Sequence, residues 1–304
     1  MSKICIKTCN HLGDAVCLTA VIENARLATM HSYSYSGRYS EVFDGLPIDT
    51  ATPETDALIV RAEYRKAIDS AGKEIRTGDD HNASTGSLIE GMTYSLGKAL
   101  GLDIPCVLRT PCLVLGEEGE RAIRAYRERF GRYFVVNTNC QRNSTVKAYP
   151  YWREVVATLS GLAAVVLIGS REERDIREDL PALNRVFDLR GETSTRELIA
   201  LVAGASCVVS PASSCVHIAA GFNVPSVVLT GAREPTALTA YPYAKHLTST
   251  CKGKYNHRRG CIHFQTCPGS CENIKEINGR RYANCMAKLQ QERILKAVKE
   301  VEIW

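Results

Sequence analysis

Three loops of this 304-residue chain carry residue types that can hold a phosphate or move a proton. The first reads Asn10-His11-Leu12-Gly13-Asp14. Gly13 permits a tight turn, and Asp14 falls at or just inside a helix start. A carboxylate there serves either as an N-cap or as a general base toward a hydroxyl nucleophile. The second loop runs from Asn137 to Pro150 with Arg142 and Lys147. A lysine in it either neutralises a diphosphate or is simply solvated. The third is Ser210-Pro211-Ala212-Ser213-Ser214-Cys215-Val216-His217. Small residues let a ligand approach the free N–H groups of a helix start, Ser213 and Ser214 add hydroxyl donors, and His217 follows one turn in, which together make a phosphate site. The alternative is a Ser-capped helix with a packed histidine. Arg233 and Glu234, just after an apolar run ending at Gly231, are candidates for nucleotide contacts and equally for plain surface residues.

A fourth group is a cysteine window. Of 13 cysteines, Cys251, Cys261, Cys267, Cys271 and Cys285 fall together near the end, spaced C-x9-C-x5-C-x3-C-x13-C with His257 and His263 between them. In a reducing compartment thiolates favour a tetrahedral site for zinc or iron over disulfides. The ligand set expected is Cys251, Cys261, Cys271 and Cys285, with Cys267 as the substitute; buried thiols are the alternative. Lys252, Lys254, Arg258 and Arg259 beside Tyr255 either touch a nucleic-acid backbone or form a solvated loop.

The elements that must position these loops alternate. Lys3–Lys7 predicts a strand and Asp14–Ala28 a helix. Ser87–Leu100 predicts a helix closed by Gly101, and Glu117–Phe130 another closed by Gly131. In the second half, strands are expected at Tyr133–Asn137, Ala163–Ile168, Val186–Leu189, Cys207–Val209 and Ser226–Thr230. Helices between them span Pro150–Ser160, Ser194–Ala203 with capping-box spacing to Glu197, and Ser214–Phe222. Strand and helix in turn mean parallel, doubly wound sheets, so the class is α/β with two Rossmann-like domains, and ligands belong at the carboxyl ends of the strands. The boundaries expected are an N-terminal domain 1–131 and a C-terminal domain 132–285 with the cysteine-rich insertion 251–285. A last helix within 286–304, Met286 to Val301, is expected to pack across the junction.

With 45% hydrophobic and 23% charged residues the chain is an ordinary globular one, not disordered or coiled-coil, and a net charge of +5 is too mild to argue for nucleic acid alone. No apolar run reaches membrane-span length and no secretory signal is visible, so a cytoplasmic setting is the default. No G-x-G-x-x-G follows the first strand, which speaks against a dehydrogenase.

Taken together, the loops resemble the heptosyltransferases, family nine of the bacterial glycosyltransferases, over most of the chain. The resemblance begins with Ile-Lys-Thr and Leu-Gly-Asp-Ala at positions 6 to 15 and continues with Lys147-Ala148-Tyr149-Pro150 ahead of Trp152. It is strongest from Asp188-Leu-Arg-Gly-Glu-Thr-Ser through His217-Ile-Ala-Ala-Gly to Val-Pro-Ser-Val-Val-Leu-Thr-Gly231. It departs where the family has Asp-Thr-Gly-Pro before Met-His; here Ala212-Ser213-Ser214-Cys215 precedes Val216-His217, and the aspartate is absent.

What the resemblance implies is a GT-B arrangement, two Rossmann-like domains facing a cleft, and inverting transfer from a nucleoside-diphosphate sugar, first an ADP-sugar carrying heptose, to a hydroxyl acceptor. Asp14 would be the base. Gly13, Lys147, Ser213, Ser214, His217 and Glu234 would hold the donor. No Asp-x-Asp pair stands in a suitable loop, in keeping with a reaction that needs no catalytic metal. The acceptor stays open between a lipid-linked saccharide, a protein, as in relatives with an iron-binding cysteine finger, and a modified DNA base as in phage-type enzymes. A degenerate nucleotide-binding module is the non-enzymatic alternative, and the oligomeric state is open.

Overall fold

The computed structural model describes residues 2–7, 11–50, 57–62, 66–68, 71–76, 87–138, 147–171, 183–230, 235–249, 255–256, 260–261 and 273–301. The chain divides into two compact units. The first comprises Met1–Gly116 and the short segment Ala237–Tyr241; the second comprises Glu117–Thr236 and Pro242–Trp304.

In the first unit the strand β1 (Lys3–Lys7) buries Ile4, Cys5 and Ile6, and feeds helix α1 (Leu12–Ala28). The strands β2 (Ser32–Ser36) and β3 (Leu58–Ala62) flank β1 in parallel register. Beyond β3 the sheet continues antiparallel through β4 (Lys66–Ile68) and β5 (Glu74–Arg76), so a parallel core carries an antiparallel edge. Helix α1 is buried at every position from Ala15 to Ala25, which holds its first turn firmly. Helix α2 (Leu88–Leu100) packs on it. It starts in a Ser87–Glu90 capping box and ends at Gly101 with φ +68°, a left-handed cap that glycine adopts without strain. Asn24 ties down the chain that follows: its amide donates to the Leu108 carbonyl at 2.9 Å and its oxygen accepts from Val107 and Leu108 at 3.0 and 2.8 Å. From the segment Ala237–Tyr241, the Tyr241 hydroxyl lies 3.8 Å from Cys17 Sγ on α1.

The second unit starts with α3 (Gly116–Phe130), an amphipathic helix that buries only Ile123 and Phe130. Six strands follow: β6 (Tyr133–Asn137), β7 (Ala164–Ile168), β8 (Val186–Asp188), β9 (Cys207–Pro211), β10 (Ser226–Thr230) and β11 (Ala244–Thr248). All pair in parallel, in the order β11-β10-β9-β6-β7-β8. The strand order therefore reverses between β6 and β9. One face of this sheet presents Phe134, Val136, Val165, Leu167, Cys207, Val209, Val227 and Leu229 to α4 (Trp152–Leu162) and to the C-terminal helix. The helices α5 (Thr195–Ala203) and α6 (Ser214–Gly221) lie between β8 and β9 and between β9 and β10 along the chain. Tyr133, on the opposite face of β6, donates to the Leu201 carbonyl of α5 at 2.8 Å. Two short hairpins complete the chain, β12 (Tyr255–Asn256) with β13 (Gly260–Cys261) and β14 (Ile274–Ile277) with β15 (Arg280–Ala283).

Two sequence readings change. The single helix expected from Met286 to Val301 is two helices, α7 (Asn284–Ala287) and α8 (Gln291–Val301). Leu289, between them, is fully buried and its carbonyl accepts the Tyr149 hydroxyl at 2.9 Å, so a tertiary partner takes the group that a continuous helix would use. Helix α8 then buries Ile294, Ala297, Val298 and Val301, one face at helical spacing, in the second unit's core. Strand β2 was not expected, because serine at every second position masks it; Tyr33 and Tyr35 are its buried face.

Candidate functional site

In sheets wound this way the ligand position is the point where strand order reverses, outside the carboxyl ends of the two strands concerned. Here those are β6 and β9, and a polar network joins them. Asn137, the last residue of β6 and buried, donates from Nδ2 to Ser213 Oγ at 3.3 Å and approaches Cys215 Sγ at 3.8 Å. Ser213 Oγ also lies 2.9 Å from both Ser210 Oγ and Cys215 Sγ. Ser213 is the N-cap of α6, yet its side chain makes no cap bond to the helix. The hydroxyl is spent on the strand ends instead, and α6 opens at the reversal point.

Lys147 reaches the same place. Its ammonium donates to the Ala212 carbonyl at 2.9 Å. The reach is set by anchors just downstream: Tyr149 and Trp152 are fully buried, and the indole N–H of Trp152 donates to the Thr138 carbonyl at 3.1 Å. Lys147, half-buried, thereby stands over the loop after β9. A positive charge, a run of small residues and a helix N-terminus then converge, which is an anion site by charge and by dipole.

His217 lies one turn into α6 and is buried. Burial first, and the Lys147 charge second, lower its imidazole from the usual 6.5 to about 4. The folded protein thus holds it neutral at pH 7. Since the unfolded chain takes up this proton near 6.5, the stabilisation is whole above that pH and is lost as the pH falls toward about 4. We expect His217→Gln to flatten the decline in melting temperature between pH 6.5 and about pH 4, measured against wild type in matched buffers; parallel curves would remove His217 from the linkage.

The structure thus brings Lys147, Ser213, Ser214 and His217 to one strand end. Gly13 and Asp14 occupy the first turn of α1 in the other unit, half-buried, directly after β1. Arg142, Arg233 and Glu234 lie outside the described residues. So do Cys251, Cys267 and Cys271, and the side chain of Cys261. Cys285, the remaining expected ligand, is buried in the second unit's core beside Met286 and Leu289. Among the described residues no group of three or more His, Cys, Asp or Glu side chains converges as a metal site. No disulfide joins the described cysteines. No helix among the described residues is long and apolar enough to cross a membrane. Sequence reasoning missed Asn137 and Ser210 as members of the site. Their signal was available, since each ends or nearly ends an apolar strand with a polar side chain, but only the pairing of β6 with β9 makes them neighbours.

Residues 99–265 match the family model described as glycosyltransferase family 9 (heptosyltransferase), a span that includes Lys147, Ser213, Ser214 and His217 and begins after Asp14. None of the curated protein sequences matches this one significantly. Among solved structures, the E. coli ADP-heptose LPS heptosyltransferase II superposes with a TM-score of 0.68 at 16% identity, covering 100% of this chain and 99% of its own. The family 9 glycosyl transferase from Veillonella parvula DSM 2008 gives 0.71 at 13% identity, covering 99% and 97%. The iron-containing dodecameric glycosyltransferase TibC from enterotoxigenic E. coli H10407 gives 0.63 at 17% identity, covering 99% of this chain and 78% of that one. At these identities the likeness is one of fold, which is GT-B, with an α/β sheet in each unit, parallel throughout in the second and parallel with an antiparallel edge in the first.

Proposed function

We propose, from the premise that this chain belongs to glycosyltransferase family 9, the heptosyltransferases, that it moves a heptose from an ADP-sugar to an acceptor hydroxyl with inversion and without a catalytic metal. Glycosyl transfer is the family's activity, and the name of the E. coli enzyme that shares this fold supports ADP-heptose as the donor. The observation that carries the reading is the Lys147 ammonium held 2.9 Å from the Ala212 carbonyl at the N-terminus of α6, at the strand reversal.

The chemistry balances as follows. Asp14 takes the proton of the acceptor hydroxyl, whose oxygen forms the new bond to the anomeric carbon from the face opposite the leaving group. The bond from that carbon to the diphosphate breaks, and its electron pair stays on the diphosphate oxygen. Lys147 and the N–H groups that open α6 lie where they can stabilise that charge, as donors aimed at developing charge do. His217, neutral and buried, supports the loop from behind, and Glu234 is assigned to the nucleoside. Loss of the family's aspartate at Ala212 leaves these donors in place. Residues 1–131 provide the acceptor side and 132–285 the donor side, in a reducing, cytoplasmic setting. The cysteine cluster enters this reading as a structural zinc or iron site with no part in the chemical step.

The test is a thermal-shift panel of nucleoside diphosphates and nucleotide-sugars, followed by donor hydrolysis and transfer assays on lipid-linked saccharide, protein and DNA acceptors. A ligand present at 100 times its Kd raises stability by about 2.7 kcal/mol. ADP and ADP-heptose are expected to raise the melting temperature and UDP and GDP not to. The absence of a shift with every nucleotide, or a shift without any turnover of an ADP-sugar, would overturn the reading.

A further inference from the structure

At the carboxyl rim of the second sheet the buried Ser210 hydroxyl is committed: its Oγ lies 2.6 Å from the Pro211 carbonyl and 2.9 Å from Ser213 Oγ. Thr230 differs. It is 2% exposed, and its Oγ1 meets no hydrogen-bond partner. A buried, unsatisfied hydroxyl costs free energy that a valine of the same shape would not, and the site is a β-strand, where valine fits at least as well.

The place of this hydroxyl in the fold points to a ligand. Thr230 is the last residue of β10. Alternation along the strand puts Val227 and Leu229 in the core against α4 and α8, and so puts Val228 and Thr230 on the other face. Val228 pairs with Ser210, and Leu229 with Pro211. The paired register ends there: Thr230 is the next residue of β10 and Ala212 the first residue after β9. The Ala212 carbonyl is the group that holds Lys147, and α6 packs on both β9 and β10. The orphaned hydroxyl is thus one strand over from the anion site and on the same face of the sheet as Ser210.

We propose that Thr230 is a further donor-binding residue, its hydroxyl donating a hydrogen bond to a diphosphate oxygen of the nucleotide-sugar. The inference rests on the family reading above. Oγ1 is buried, and rotation about χ1 exchanges it with the methyl group between staggered positions. The hydroxyl is kept, at a cost to the empty protein, because the bound diphosphate satisfies it.

The experiment compares full-length wild type, Thr230→Val and Thr230→Ser by calorimetric titration with ADP and with adenosine. A hydrogen bond to a charged group predicts that Thr230→Val weakens ADP by about tenfold or more while adenosine changes by less than about twofold, and that Thr230→Ser stays close to wild type for both. The unliganded Thr230→Val protein should melt no lower than wild type. Equal ADP affinity in Thr230→Val, or an equal loss for adenosine, overturns the proposal. If wild type binds ADP and transfers sugar while Thr230→Val binds as tightly, this inference alone fails; if wild type binds no nucleoside diphosphate, the family-level donor assignment fails first and this one with it. Should Thr230→Val not fold, Thr230→Ala read against Thr230→Ser makes the same comparison.

Discussion

Asp14→Asn is expected to lower sugar transfer by roughly 100- to 10,000-fold, the range that a positioned general base supplies, while ADP affinity stays within about twofold of wild type. The substitution is nearly isosteric, so the turn at Gly13 and the packing of α1 remain. That packing is extensive: Ala15 through Ala25 are all buried, and Asn24 and Thr19 bind the chain that crosses the helix, Thr19 Oγ1 accepting from the Cys112 N–H at 2.9 Å. The cost to stability is confined to the carboxylate's favourable place in a first helical turn, about 0.3–1 kcal/mol. This separates a base from a carboxylate that only stabilises the first turn after the N-cap His11. A residue of the latter kind would show the small stability loss and keep its turnover. Initial rates of transfer at saturating ADP-sugar, read beside ADP-induced thermal shifts, decide between them, and turnover within about threefold of wild type would end the assignment of Asp14 as base.

Lys147→Met carries the second large effect, and on the opposite quantity. Transfer measured as kcat/KM should fall by roughly 100-fold or more, and much of that fall should appear as weaker ADP binding, because the role proposed for the ammonium is to neutralise the diphosphate in ground state and transition state alike. Methionine keeps most of the apolar stem. What is lost is the charge and the bond to the Ala212 carbonyl. A second readout is built in. Lys147 is one of the two causes that hold the His217 imidazole near 4, so its removal should let His217 titrate at higher pH, visible in the imidazole resonances. Unchanged ADP affinity together with an unmoved His217 titration would place Lys147 outside the donor site.

Much of the second unit could be read directly from the chain. Buried parallel strands are continuous apolar runs, and Tyr133–Asn137, Ala164–Ile168 and Ser226–Thr230 stand where such runs stand, with glycine, serine and proline marking their ends. One cap was equally plain: Ser194 with Glu197 forms the capping box that its spacing predicts. The first unit was harder. Alternating Ser-Tyr-Ser-Tyr-Ser in β2 lacks an apolar run, and β4 and β5 are three residues each, too short for periodicity to speak.

Sequence alone determined the α/β class, the loops that matter and the residue types in them, because hydrophobic period, turn chemistry and capping are local properties. It also carried the family resemblance, through Gly13-Asp14, Lys147 and His217 in order. Tertiary structure alone decided which of those groups meet. Asn137 and Ser213 lie 76 positions apart, and Lys147 and Ala212 lie 65 apart. Their contacts depend on β9 pairing beside β6, which no local pattern encodes. The same holds for Thr230: as a letter it ends a strand, and only its packing shows a buried hydroxyl without a partner at the edge of the anion site.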